Sequence, residues 1–217
     1  MNDKDIMRLS PLFRDMSDVG LSRALHYFDA QESKYRRGQY LRHAGEPMRR
    51  FGFVLSGSLQ IYMDDVNGGH IMMNQVGPGG SFGESLHFMG VEESPIYIMA
   101  SEDVRMLWLD AELIKKAPRT TETLNLALRF VALLARRTLE MNDRIQILTR
   151  PTIRDKLVIY FAQCSARYNS RTFTITFNRN ELADYLGTDR SALSRELSRM
   201  KKDGLIDYHR NSFIVKV

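Results

Sequence analysis

The stretch NRNELADYLGTDRSALSRELSRMKKDGLI, residues 178–206, predicts two short helices joined by a tight turn. Asn178 and Glu181 have the spacing of a capping box, which favours a helix start at this point. Gly187 lets the chain leave the first helix in a left-handed conformation. Asp189 is a suitable N-terminal cap for the second helix. This stretch is therefore predicted to be a helix-turn-helix.

The second predicted helix has one apolar side and one polar side. Its apolar residues recur at intervals of four and three, which turns them towards a core; they are Leu193, Leu197 and Met200. Arginine offers two donors to guanine and serine lets a backbone approach closely, so the opposite side suits a DNA major groove. The predicted base contacts on that side are Arg190, Ser191, Ser194 and Arg195.

Composition restricts the class of protein. The chain has 217 residues, enough for one large or two modest domains, and 43% of them are hydrophobic. No apolar run approaches the ~20 residues of a membrane helix, and the charged start MNDKDIMRLS lacks an apolar signal core. Cys164 is the sole cysteine, so one chain cannot form an internal disulfide or an all-cysteine iron–sulfur site. We expect a cytoplasmic protein with no membrane partner.

Charge is distributed unevenly along the chain. Residues 118–217 hold 18 Lys and Arg against 10 Asp and Glu, whereas residues 1–117 hold 13 against 16. A basic half beside a mildly acidic half predicts polyanion binding by the C-terminal part. Solvated helix faces are the alternative explanation of this imbalance.

Residues 1–117 are predicted to form an antiparallel β-roll within an α+β fold. Short segments rich in β-branched and aromatic residues alternate with turns containing Gly, Pro and Asn. The predicted strands are Phe51–Leu55, Ser58–Met63, Ile71–Gln75, Ile96–Ala100 and Val104–Leu109. Asp65–Gly69 has the composition of a hairpin tip.

A long helix is predicted from about Arg119 to Thr149, between Pro118 and Pro151, and it forms the separate segment 118–149. Seven positions repeat with the spacing of a coiled-coil seam: Leu124, Leu128, Val131, Ala135, Thr138, Asn142 and Ile145. A helix of ~45 Å cannot bury this stripe against one small roll. We therefore expect a second copy of the chain to cover the seam, with an intrachain helix bundle as the alternative.

The third domain, residues 150–217, begins with an amphipathic helix from about Thr152 and continues with a strand at Phe173–Phe177 before the helix pair. The chain then ends in a predicted two-stranded wing, made of Ile206–Tyr208, the polar tip His209–Ser212 and Phe213–Val217. The predicted order is thus roll, long helix and winged helix-turn-helix.

In this order the chain resembles the cAMP receptor protein/FNR (Crp/Fnr) superfamily of bacterial transcription regulators. The resemblance spans nearly the whole chain and is carried by GEPMRRFGFVLSGSLQIY (45–62), GPGGSFGES (77–85), ALLARR (132–137) and the helix-turn-helix. It implies a homodimer joined through the long helix, and a roll that senses a ligand. It also implies allosteric control of two recognition helices on a palindromic operator, and contact with RNA polymerase.

The resemblance assigns roles along the recognition helix. Arg195 stands where the family contacts guanine, Arg190 where cAMP-responsive members reach base or phosphate, and Ser194 where FNR-like members place a serine. Ser191 stands where both groups keep a glutamate, and a serine does not accept from cytosine as a carboxylate does. The operator is therefore expected to differ from either well-known consensus at that position. Three further residues are candidate phosphate contacts: Asn178, Arg179 and Ser198. For Asn178 and Arg179 the alternative is capping and a solvated surface.

The predicted sensor pocket departs from the cyclic-nucleotide pattern. Gly83 and Glu84 are present, but the Arg-Ser pair that the family places ten residues after the glutamate is replaced by Ser94 and Pro95. A buried cyclic phosphate without its cation would be poorly compensated, so cAMP and cGMP are not expected. The Gly-Glu motif then serves the turn and the helix start. We nevertheless include it, with Ser85, in the candidate pocket.

The strand that follows is expected to supply the rest of the pocket. Alternation places Tyr97 and Met99 on one face and Ile96 and Ile98 on the other, and either pair can line an apolar cavity. We select Tyr97 and Met99. By analogy with family members that lack the arginine, we expect an apolar or aromatic effector. The alternatives are a packed core without an effector, and a regulator that binds DNA constitutively and uses its roll as a scaffold or polymerase contact.

Other residues capable of catalysis or metal binding are sparse. No nucleophile–base pair is evident, and the histidines are scattered without metal-ligand spacing: His26, His43, His70, His87 and His209. We therefore expect no enzymatic activity, no metal and no cofactor. His87 is expected on a surface or a helix face, and Cys164 is expected to be a buried small apolar residue.

Overall fold

The computed structural model describes residues 1–65, 69–116 and 120–216. The chain divides into two compact units, Met1–Arg137 and Thr138–Val217. Among the described residues, none of the helices combines the length and the apolar character needed to cross a bilayer.

The first unit is built on two antiparallel sheets, as predicted. Its strands are β1 (Gln31–Tyr35), β2 (Tyr40–Arg42), β3 (Phe51–Ser56), β4 (Leu59–Asp64), β5 (His70–Val76), β6 (Ser81–Phe82), β7 (Ile96–Ala100) and β8 (Val104–Leu109). One sheet has the order β1-β8-β3-β6 and the other β2-β7-β4-β5. The five predicted strands are confirmed within one residue at each end. Strands β1, β2 and β6 are additional to these five; the sequence QESKY of β1 is polar and lies at a sheet edge, without an apolar alternation.

Short helices flank these strands, and among them only the helix start at Gly83 and Glu84 was predicted. They are α1 (Asp3–Met7), α2 (Asp18–Tyr27), α3 (Glu84–Phe88) and α4 (Glu112–Lys116). Ser17 caps α2 by accepting from the Gly20 amide. Leu21 and Ala24 of this helix are buried in the core described next.

Strand β3 is buried on both faces because it separates two hydrophobic cores. Phe51 and Phe53 enter a core shared with α1 and α2, whereas Val54 enters the core between the two sheets. Gly52 is required between them, since a β-carbon there would lie 2.1 Å from the ring of Phe82. The sheet interior is therefore closely packed at this strand.

The predicted long helix is present as α5 (Thr121–Leu148). Pro118 and Arg119 lie outside the described residues, as do residues 66–68 of the predicted hairpin tip. Leu126, Phe130 and Leu133 of α5 are buried in the core of the first unit, and Ile147 is buried in the core of the second. One side of α5 thus packs within its own chain.

The second unit contains α6 (Ile153–Tyr168), β9 (Thr172–Thr174), α7 (Arg179–Leu186), α8 (Arg190–Lys202), β10 (Ile206–His209) and β11 (Ser212–Val215). The predicted wing strands are present, but the wing has three strands, in the order β10-β11-β9, and not two. The third strand is the one predicted at Phe173–Phe177. It ends at Thr174, and Phe177 packs against Tyr185 of α7, with 4.9 Å between ring centroids.

Candidate DNA-binding surface and sensor pocket

The two helices of the helix-turn-helix begin and end as the sequence predicts. The Asn178 side chain accepts from two backbone amides of α7, and Glu181 completes the capping box. Gly187 ends α7 with φ 58°, in the left-handed region. Asp189 caps α8 by accepting from the Ala192 amide. These local caps fix where α8 begins.

Helix α8 buries its apolar side and leaves its polar side open. Leu193, Leu197 and Met200 are buried in the core of the second unit. On the other side, Arg190, Ser191 and Arg195 are exposed and Ser194 is half-buried. An ion pair of 2.5 Å between Arg154 of α6 and Glu196 holds α8 in place. The four predicted base contacts therefore lie on one supported and accessible helix.

Asp189, Ser191 and Arg195 form a hydrogen-bonded chain at the start of this surface, called here the α8 network. The Ser191 hydroxyl donates to Asp189 Oδ1 at 2.5 Å, and Arg195 Nη1 donates to Ser191 Oγ at 3.2 Å. The Ser191 hydrogen bond and the Ala192 amide lower the pKa of Asp189. The hydroxyl proton is thus committed to Asp189, so Ser191 has only acceptor capacity left for a base. Sequence reasoning identified Asp189 as a cap and missed this second contact.

The three predicted phosphate contacts lie in different surroundings. Asn178 is occupied in part by capping. The Ser198 hydroxyl donates to Ser194 O at 3.0 Å within α8. Arg179 is turned towards the wing, where its guanidinium donates to Arg210 O at 2.6 Å and lies over the Tyr208 ring. Burial lowers the pKa of Arg179.

In the first unit, the Gly-Glu motif forms a buried polar cluster, called here the roll network. Glu84 is only 4% exposed; it accepts from the Ser81 hydroxyl and lies 3.5 Å from Arg137 Nε of α5. Gly83 has φ 77°, and a β-carbon there would lie 3.0 Å from Met48 Sδ. Ser85 is exposed. Arg137 is not predictable from the sequence as a partner of Glu84, because no local pattern links residues 53 positions apart.

The remaining pocket residues lie on the outer face of β7. The Tyr97 hydroxyl donates to Asp64 Oδ2 at 2.9 Å, which raises the pKa of Tyr97, and Met99 is half-buried. The other predicted pair faces inward: Ile98 is fully buried between the sheets and Ile96 packs against that core. The structure therefore does not bring Tyr97 and Met99 together with the roll network.

His87 and Cys164 are both buried. His87 was expected on a surface or helix face; it does lie in α3 but is only 4% exposed, and its ring nitrogens lie 3.2 Å from Met48 O and 3.1 Å from Asp110 Oδ1. From α3 its ring packs against Phe51 of the core. Cys164 is buried as predicted, and burial raises the pKa of its thiol. In the described residues, no three His, Cys, Asp or Glu side chains converge on a metal-sized site.

The predicted seam on α5 is open along its whole length. All seven of its residues are exposed in the single chain: Leu124, Leu128, Val131, Ala135, Thr138, Asn142 and Ile145. Leu128 is 66% exposed, although three leucine or phenylalanine neighbours on the same helix are buried. This side of α5 therefore has no cover within the described part of its own chain.

Comparisons with known proteins match both ends of the chain. The family model described as cyclic nucleotide-binding domain matches residues 32–120, and the Crp-like helix-turn-helix domain matches residues 155–216. The chain is 27% identical over 204 residues to the cyclic AMP receptor protein of Thermus thermophilus, covering 92% of this chain and 89% of that protein.

Two further proteins are similar to the chain. The transcriptional activator protein anr of Pseudomonas aeruginosa is 23% identical over 182 residues, which is 79% of this chain and 70% of that protein. The structure of FixK2 from Bradyrhizobium japonicum has a TM-score of 0.67 at 19% identity, covering 87% of this chain and 93% of that one. At this identity the likeness to FixK2 shows the shared fold.

Proposed function

Because this chain belongs to the Crp/Fnr family of DNA-binding transcription regulators, we propose that it binds a palindromic operator as a homodimer under control of a small molecule in the β-roll. The observation that carries the DNA-binding step is the polar side of α8, which remains accessible while its apolar side is buried. In this proposal Arg195 and Arg190 read bases, with Ser191 and Ser194 between them. Asn178, Arg179 and Ser198 are the proposed phosphate contacts, and RNA polymerase is the expected protein partner.

The exposed seam of α5 supports the homodimer. Aliphatic side chains repeated along a helix at this spacing are stable in water only when a partner helix covers them. Asn142 in the seam lowers stability but fixes the register of the pair. A second copy of the chain supplies a matching stripe by symmetry. It also places two α8 helices for the two half-sites of a palindrome.

Leu128→Asp tests the dimer, with Asn125→Asp as its matched control at an exposed position outside the seam. We expect light scattering to give twice the chain mass of 25.1 kDa for the wild type and the control, and about one chain mass for Leu128→Asp. A wild type at one chain mass would contradict the homodimer.

For the effector, we propose an apolar or aromatic molecule and not a cyclic nucleotide. The core between the sheets is apolar around Val54, Ile98 and Met106. Glu84 is already paired within the chain by Ser81 and Arg137, so it does not require a ligand hydroxyl. The same pairing favours a second candidate function: a regulator that binds its operator without any effector.

Selection of binding sites from random DNA with ligand-free protein, at stated salt, tests the function and separates the two candidates. An enriched palindrome with half-sites one helical turn apart would support a dimeric regulator that is active without effector. Salt-sensitive binding without sequence preference would support effector control. Absence of any binding to duplex DNA at low salt would contradict the proposal.

A further inference from the structure

Arg42 of β2 directs its side chain into the core between the two sheets. Its backbone pairs with Ile98 of β7, whose side chain is fully buried. Its guanidinium lies over the ring of Trp108, 4.9 Å from the centroid, and Trp108 belongs to β8 of the opposite sheet. Arg42 is thus a cation at the interface of two apolar sheet faces.

This guanidinium has little compensation within the chain. Nη1 donates to Leu41 O at 3.1 Å, and Nε is buried without a hydrogen-bond partner. In residues 1–65, 69–116 and 120–216, no carboxylate forms an ion pair with Arg42. Arg42 as a whole is half-buried, so the cost falls on its buried Nε, which has no partner in the ligand-free chain.

A second donor lies at the same tryptophan. Trp108 Nε1 donates to the Tyr35 hydroxyl oxygen at 3.2 Å, which leaves the phenolic proton of Tyr35 available. Within the described chain, this proton meets no acceptor. The face of Trp108 therefore holds a guanidinium with unused donors, and its N–H edge holds a phenol with an unused donor.

We propose that Arg42, assisted by Tyr35, binds the oxyanion of a small molecule in the roll. A guanidinium fork matches a carboxylate or a phosphate through two parallel hydrogen bonds. Such an oxyanion would pair with the buried Nε of Arg42 and accept from the phenol of Tyr35. This inference rests on the proposal that the roll is the sensor, and it adds a charged group to an effector class expected to be apolar or aromatic.

Thermal unfolding of the full chain tests the inference with three probes: benzoate, its neutral isostere benzamide, and cyclic AMP. The variants are Arg42→Met, which keeps a flexible chain against Trp108, and Arg37→Met, which removes an exposed arginine close by on the surface. We expect benzoate, at a hundredfold excess over its Kd, to raise the wild-type Tm by about 5 °C or more, and cyclic AMP to leave it unchanged. Arg37→Met should respond in the same way. Arg42→Met should not respond, and its Tm without a probe should be equal to the wild-type value or higher.

The three probes distinguish a carboxylate from a phosphodiester, and the variants show whether Arg42 is the group that binds it. A response to benzoate identifies a carboxylate, whereas a response to cyclic AMP alone identifies a phosphodiester. An equal response to benzamide, a response retained by Arg42→Met, or no response to either anion would overturn the inference. A marked fall in the Tm of ligand-free Arg42→Met would also overturn it, because Arg42 would then be a packing residue. Operator binding measured on the same samples reports on the proposed function independently of these results.

Discussion

The roll network and the α8 network contain the same three kinds of side chain, an arginine, a serine and a carboxylate, in opposite surroundings. In the roll, Glu84 is buried beside Ser81, and Arg137 is 23% exposed. On α8, the carboxylate, the hydroxyl and the guanidinium are all exposed. Identical chemistry therefore has different consequences, since burial removes the water that would otherwise replace a lost partner.

This difference separates a structural role from a recognition role. Removing one member of a buried ion pair leaves a charge without compensation, which is costly to the folded state. Removing one member of an exposed network costs the fold little, because water takes its place. The exposed network can also exchange its internal hydrogen bonds for bonds to DNA. We therefore expect substitutions in the roll network to change stability, and substitutions in the α8 network to change operator binding.

Arg137→Met should have the largest effect on stability. It leaves the Glu84 carboxylate buried with only the Ser81 hydroxyl, and we expect the free energy of unfolding to fall by about 2–3 kcal/mol, measured by urea denaturation. The double variant Glu84→Gln with Arg137→Met is the control. Because both partners are then uncharged, the free energy of unfolding of the double variant should fall by less than the sum of the losses of the single variants Glu84→Gln and Arg137→Met. Additive losses would show that the pair does not interact.

Arg195→Ala should affect operator binding without affecting the fold. We expect an affinity loss of about 1–3 kcal/mol, roughly five- to over a hundredfold, and relaxed preference at one base pair of each half-site. Its urea midpoint should match that of the wild type. Arg199→Ala, at another exposed position of α8, is a matched control. Unchanged operator binding in Arg195→Ala would contradict the base-contact assignment.

Arg179 is intermediate between the buried roll network and the exposed α8 network, because it contacts both the wing and, in our proposal, DNA phosphate. Its guanidinium lies over the rings of Tyr208 and Phe213, 5.3 Å and 5.2 Å from their centroids. We expect Arg179→Met to lower the free energy of unfolding by about 1 kcal/mol through the lost cation–π contacts. The salt dependence of DNA binding decides whether Arg179 also contacts phosphate. If Arg179 contacts a phosphate, Arg179→Met should reduce the slope of log K against log salt by about one. If Arg179 only holds the wing in place, the slope should not change.

The sequence predicted the parts of the molecule that depend on short-range patterns. Helix caps such as Asn178 and Asp189, and the strand β7, follow from residues close together in the chain. The contacts of Glu84 with Arg137 and of Arg42 with Trp108 join residues far apart in the chain, and no local periodicity specifies them. Alternation along β7 correctly predicted which residues share a face. It did not predict which face is inward, because that depends on packing against the opposite sheet.

Asp189→Ser should have the smallest effect and is the most specific test of the α8 network. Serine caps a helix about as well as aspartate, so α8 should retain its start. With the Asp189 carboxylate present, Ser191 can only accept from a base, which favours an adenine or cytosine amino group at that position in the major groove. A glutamate at position 191 would also accept, so the Asp189 carboxylate makes Ser191 an acceptor like that glutamate, and the base preference at this position should differ less from the family consensus than Ser191 alone implies.

In Asp189→Ser the Ser191 hydroxyl is free to donate or accept. We therefore expect the wild-type preference for adenine or cytosine to disappear at one operator position, with total affinity reduced on the order of threefold. Selection on random DNA with both proteins measures this directly, and Ser191→Ala should lose the same preference. If Asp189→Ser weakens binding to all sequences equally and keeps the base preference, Asp189 acts only as the cap of α8. In that case Ser191 is oriented by the DNA and not by its own helix.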